Sequence, residues 1–125
     1  MRRIIKILAV DREEIILLAI KKALKNDNNF EYIISSSQTA LDGLKLVRNE
    51  SFDIILIDLV LPGINGIEVL KRIKKIYPYV PIIILSGYPS EKISSDSVLN
   101  GASGLLIKPF TSDELKNMIY NILEK

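Results

Sequence analysis

Four polar residues stand at the ends of apolar runs in this 125-residue chain: Asp11 closes "IIKILAV", Asp58 closes "IILI", Ser86 follows "IIIL" and Lys108 follows "LLI". Two carboxylates, a hydroxyl and an ammonium become a chemical constellation if folding brings them to one place. Taken singly, three of them have plainer readings. Asp11 would cap the helix after it, Ser86 before Gly87 would be a turn residue, and Lys108 before Pro109 would be a solvated loop lysine. Asp58 resists such a reading, because it lies at the mouth of the most hydrophobic run with no basic residue beside it. Composition closes other routes to chemistry. With 0 Cys and 0 His there is no disulfide framework, thiolate nucleophile, Cys-type zinc site or imidazole base.

The elements that must position these groups are legible from periodicity. Continuous β-branched runs at residues 4–10, 32–35, 54–57, 82–85 and 105–107 predict five strands buried on both faces. Helical spacing falls between and after them: Ile16, Ala19, Ile20, Ala23 and Leu24; Ala40, Leu44 and Val47; Val69, Leu70, Ile73 and Tyr77; Leu115, Met118, Ile119, Ile122 and Leu123. Thr111 with Glu114 three residues on forms a capping box for the last helix. The stretch "PSEKISSDSVLNGA" predicts only a marginal, mobile helix, since its serines favour local side-chain bonds and Ile93 with Val98 or Leu99 supplies the whole apolar face. Strands alternating with helices imply an α/β fold, a parallel sheet covered on both sides by right-handed crossovers. In such a sheet the strand C-termini share one edge, where ligands bind, and that edge would gather Asp11, Asp58, Ser86 and Lys108.

With these residues in place, the chain resembles a response regulator receiver domain of two-component signalling (CheY-like). The resemblance runs over essentially the whole chain. It is most specific in "IILIDLVLPGINGIEVL", similar to the family's phosphoacceptor strand and following loop, and in "GASGLLIKPF", similar to its fifth strand and Lys-Pro pair. It implies the flavodoxin-like (βα)5 three-layer sandwich with strand order 2-1-3-4-5. It also implies that Asp58 takes a phosphoryl group from a partner histidine kinase or phosphotransfer protein, with Ser86 and Lys108 contacting that group. Mg²⁺ would be held by acids after the first strand, Asp11 among them, by Asp58 and by the backbone carbonyl of Val60. Adjacent strands lie about 5 Å apart, so Asp11 and Asp58 would crowd each other, and crowded carboxylates invite a divalent cation. Pro62, Gly63 and Gly66 would shape the loop beside the acceptor, and Pro109 would follow a cis bond.

Two departures from the family pattern stand out. Arg12 occupies the place of a second acid that usually ligates the metal, and Leu105 stands where the family has Tyr or Phe. The family site carries two net negative charges for a dication to cancel, whereas Asp11, Arg12, Asp58 and Lys108 sum to zero. At an effective dielectric near 20, a unit-charge pair at about 4 Å is worth about 4 kcal/mol, so the reversed sign bears on metal affinity. Glu13 would compensate in part, or would point away and serve the helix dipole. A second reading is therefore a phosphorylation-independent interaction module in which Arg12 pairs with Asp58. A third is a flavodoxin-like ligand-binding domain or enzyme. Against it, "DREE" holds no glycine-rich phosphate cradle, and Val60 stands where a dehalogenase-type phosphatase needs an acid.

The remaining expectations come from composition. A 48% hydrophobic content supports one folded domain over residues 1–125, read as a receiver without an output domain and not as an enzyme in its own right. The net charge of +2 arises from interspersed residues and points to no nucleic-acid surface. "MRRIIKILAV" is interrupted by Lys6 and followed by "DREE" instead of a cleavage site, and no apolar run is long enough to span a bilayer, so a cytoplasmic location is expected. Signalling would pass through the fourth-helix, fifth-strand and fifth-helix face to a downstream protein or a missing output domain, with a homodimer through the fourth-helix face as a further expectation.

Overall fold

A computed structural model describes residues 2–88 and 90–124. Strands and helices alternate as β1 (Arg3–Val10), α1 (Glu14–Lys25), β2 (Phe30–Ser37), α2 (Ala40–Asn49), β3 (Ile54–Asp58), α3 (Gly66–Ile76), β4 (Ile82–Ser86), α4 (Glu91–Leu99), β5 (Gly104–Ile107) and α5 (Ser112–Leu123). A small antiparallel hairpin, Val60–Leu61 with Ile64–Asn65, lies between β3 and α3. The five main strands form one parallel sheet in the order β2-β1-β3-β4-β5, the expected flavodoxin-like α/β topology. None of the described helices is long and apolar enough to cross a membrane.

The pleat divides the core in two. In β1, Ile5, Ile7 and Ala9 pack with Leu17, Ile20 and Leu24 of α1 and Leu115 and Ile119 of α5, while Leu8 and Val10 turn to Leu44 and Val47 of α2 and Val69, Leu70 and Ile73 of α3. The prediction of strands buried on both faces holds for β3 and β4, every residue of which is buried. It fails at the margins. β2 and β5 are the outer strands of the sheet, with Ile33 and Ile107 exposed, because an edge strand lacks a neighbour to complete its cover.

Helix boundaries follow local chemistry. The Thr111 side chain accepts the Glu114 amide at 3.1 Å and the Glu114 carboxylate accepts the Thr111 amide at 3.0 Å, closing the predicted capping box. Tyr77 leaves α3, which ends at Ile76; it precedes Pro78, whose ring disfavours helical backbone in the residue before it. The serine-rich stretch does form α4, capped by Ser90, but not with the apolar face expected for it. Ile93 is half buried, Val98 and Leu99 are exposed, and the helix buries Ser97, whose hydroxyl donates to the Ile93 carbonyl at 2.7 Å. A hydroxyl bonded to its own helix tolerates the interior that an unpaired one would not.

At the opposite end of the sheet from Asp58, buried Asp27 accepts the Tyr32 hydroxyl at 2.6 Å and the Asn29 amide at 2.8 Å. Burial alone would raise the Asp27 carboxyl, but these bonds outweigh it and hold the pKa below the ordinary 3.8; burial and Asp27 together push the Tyr32 phenol above its ordinary 10.0. The Asp27 contribution to stability is thus present above pH 3.8 and lost as the pH falls through its folded value. Tyr32→Phe should cost about 1–3 kcal/mol at neutral pH by leaving a buried acceptor short of its partner. Urea unfolding across an acid pH series should show the gap from wild type closing below pH 3.8. A gap that does not change with pH would assign the loss to packing.

Candidate functional site

Register brings the four residues together. Val10 pairs with Ile57, and Ser86 with Ile107, so Asp11 and Asp58 leave neighbouring strands side by side while Lys108 emerges one residue past the Ser86 partner. Asp11 and Asp58 are 0% and 2% exposed. Two carboxylates out of water need a counterion, and Lys108, its side chain 13% exposed, supplies it: Nζ donates to Asp11 Oδ2 at 3.1 Å and to Asp58 Oδ1 at 3.2 Å. The Lys108-Pro109 bond is cis, as expected.

The backbone completes the setting. Asp11 Oδ1 accepts the Glu13 amide at 2.8 Å and Asp58 Oδ1 accepts the Val60 amide at 3.3 Å. Ser86 is buried at the end of β4, and its Oγ accepts the Tyr88 amide at 3.2 Å, which leaves its own proton available. Burial, reinforced by the Asp58 charge, raises the Asp11 carboxyl above its ordinary range despite the Glu13 amide and Lys108. For Lys108, burial alone would lower the ammonium pKa, but the two carboxylates outweigh it and the pKa is raised.

One atom of this site lacks a partner among the described residues: Asp58 Oδ2 is buried without a hydrogen bond. A buried carboxylate oxygen left empty-handed is costly unless a ligand completes it. Beside it opens a cleft of about 330 Å³ whose lining includes Arg12, Glu13, Asp58, Val60, Tyr88 and Lys108. Buried carboxylates converging on one cation, with an oxygen to spare, suit a hard divalent ion. As the side chains stand, no three acidic groups among the described residues are close enough together to hold one.

Arg12 is exposed and forms no ion pair among the described residues; its carbonyl accepts the Gln38 side-chain amide at 3.1 Å. The Arg12–Asp58 pair of the second reading is therefore not what forms, since Asp58 is held by Lys108. Glu13 does not point away: its Oε1 lies 3.9 Å from Lys108 Nζ. Leu105 is half buried against the core cluster on the α2 and α3 side. Gly66 lies so near the end of β3 that a Cβ on it would run into the Asp58 carbonyl oxygen and come within 2.9 Å of Leu59 Cα.

Topology and site together define a doubly wound α/β protein with two buried carboxylates, a lysine and a hydroxyl at the C-terminal edge of its sheet. The response regulator receiver domain model matches residues 7–120, and the chain belongs to that family. Sporulation initiation phosphotransferase F of Bacillus subtilis (strain 168) is 30% identical over 118 residues, covering 94% of this chain and 93% of that protein. The crystal structure of a CheY-like receiver domain protein from Methanospirillum hungatei JF-1 superposes with a TM-score of 0.86 at 31% identity, covering 99% of this chain and 95% of that one. A receiver domain protein from Clostridium thermocellum gives 0.87 at 30%, covering 96% and 94%. For three transcriptional regulatory proteins among the curated relatives, the chain spans 19%, 55% and 47% of their length.

Proposed function

We propose that Asp58 is the phosphoacceptor of this receiver. A carboxylate oxygen of Asp58 attacks the phosphorus of a phosphohistidine on a partner histidine kinase or phosphotransfer protein; the P–N bond breaks, the imidazole leaves, and an acyl phosphate remains. The single observation that carries this reading is the buried, unpartnered Asp58 Oδ2 beside an open cleft. The transition state is loose, so the protein's task is alignment and charge neutralisation. Lys108, already 3.2 Å from Asp58, balances charge on the incoming phosphoryl oxygens, and the Ser86 hydroxyl donates to one of them. Receiver domains generally bind Mg²⁺ at this site. Here Asp11, Asp58 and the Val60 carbonyl would hold the ion, which supplies further neutralisation of the phosphoryl charge.

The chain is read as one receiver unit, a signalling module of the cytoplasm and not a stand-alone enzyme. Exposed Val98 and Leu99 on α4 and Ile107 on β5 support a docking surface for a downstream protein or an output domain, and for a homodimer. To test the acceptor, the protein is incubated with a small acyl-phosphate donor and MgCl₂ and its intact mass is measured. A single phosphoryl adduct is expected in the wild type and none in Asp58→Asn. An adduct that survives that substitution, or no adduct on the wild type at any magnesium concentration, would sink the assignment.

A further inference from the structure

We infer that Glu13 is the third carboxylate of this site, supplying from the next residue the acidic charge that Arg12 does not. The inference rests on the receiver reading of Asp58 and extends it to a residue that the family pattern leaves out. Three observations carry it. First, Lys108 Nζ meets Asp11 at 3.1 Å, Asp58 at 3.2 Å and Glu13 at 3.9 Å, so three acidic groups converge on one ammonium. Second, the Glu13 side chain has no other hydrogen-bond or ion-pair partner among the described residues. The residue is the N-cap of α1 with extended backbone, φ −96° and ψ 111°, yet its side chain makes no capping bond. Its amide is tied instead to Asp11 Oδ1 at 2.8 Å, which fixes the start of the side chain beside the site. Third, the buried Asp58 Oδ2 has no hydrogen-bond partner among the described residues, so the cluster holds an acceptor that is not satisfied by Lys108 or the backbone.

Charge gives the same answer. Asp11, Arg12, Asp58 and Lys108 sum to zero, and Glu13 makes the cluster net negative by one; Arg12, which also lines the cleft, is exposed and forms no ion pair among the described residues. The Glu13 side chain is 48% exposed and so free to rotate toward an ion. An exposed arginine at the lip is screened by water and salt, which lets the acids keep their negative potential.

The test is calorimetric titration of MgCl₂ into the full chain and its variants. Glu13→Gln is expected to weaken Mg²⁺ binding about 10- to 100-fold. Glu14→Gln, the same charge change one residue on, should stay within about twofold because an exposed charge is screened. With Arg12→Asp in place, Glu13→Gln should cost much less, since the usual acid is restored and the two sites couple. Unchanged binding in Glu13→Gln would overturn the inference, as would an equal loss in Glu14→Gln. A wild type that ignores Mg²⁺ while Arg12→Asp binds it would also overturn it, with the acceptor role of Asp58 left standing. If neither binds Mg²⁺ and neither gains an acyl-phosphate adduct, both readings fall.

Discussion

Lys108→Ala should be among the most damaging single substitutions in this protein, destabilising it by on the order of 3 kcal/mol at neutral pH. Asp11 and Asp58 are 0% and 2% exposed, and their shared counterion is the Lys108 ammonium. Removing it leaves like charges facing each other out of water. The loss has a pH signature whose sign follows from Asp11. Its carboxyl is raised above 3.8, mainly by burial, so the folded state holds a proton there more readily than the unfolded chain does. The stability tied to that proton is complete below pH 3.8 and is lost as the pH rises through the folded value. Without Lys108 the Asp11 carboxyl rises further, so the gap between variant and wild type should narrow on acidification. Urea unfolding of both proteins from acid to neutral pH measures this, and a gap that widens in acid would refute it. Lys108→Arg is not expected to restore the wild type, because a planar guanidinium does not reproduce a point charge between two carboxylates.

Gly66→Ala is the second. A Cβ at this position collides with the Asp58 carbonyl oxygen and lies 2.9 Å from Leu59 Cα, and both obstacles are backbone that no side-chain rotation relieves. The Gly66 amide also donates to the Leu59 carbonyl at 2.8 Å, and the Asn65 side chain caps α3 by accepting the Ile67 amide at 2.7 Å. The chain is therefore held on both sides of the new methyl, and relief must come from moving β3's end or α3's start. A cost of about 2–3 kcal/mol is expected, together with a sharp fall in acyl-phosphate labelling as Asp58 is displaced. Gly63→Ala makes the informative comparison. Among the described residues nothing lies within 4 Å of its Cβ position, but φ is +73°, so the cost there is about 1 kcal/mol of backbone strain and labelling should survive. Thermal unfolding and intact-mass labelling of the two variants separate the effects. Equal labelling in both would disprove the role given to Gly66.

Much of the fold was legible because burial writes itself into short-range pattern. The runs ending at Ile57 and Leu85 give strands whose residues are all buried, the run ending at Val10 is buried from Ile7 onward but leaves Ile4 exposed, and the Thr111–Glu114 box closes as its spacing required. Edge strands were less legible, since β2 and β5 carry the same branched residues as the centre and differ only in having one neighbour. On α4, composition pointed to Val98 or Leu99 as the buried contact, and the structure buries Ser97 because its hydroxyl finds the Ile93 carbonyl.

For the site, the sequence by itself determined the inventory: an acid after β1, an acid closing β3, a hydroxyl closing β4 and a lysine after β5, all on one edge because parallel strands share a direction. Tertiary structure decided how they are used. That Lys108 bridges Asp11 and Asp58, that Arg12 stays in solvent, and that Glu13 leans back toward the ammonium depend on side-chain rotamers. Those rotamers are set by register and electrostatics between residues as far as 97 positions apart, and no local periodicity encodes them.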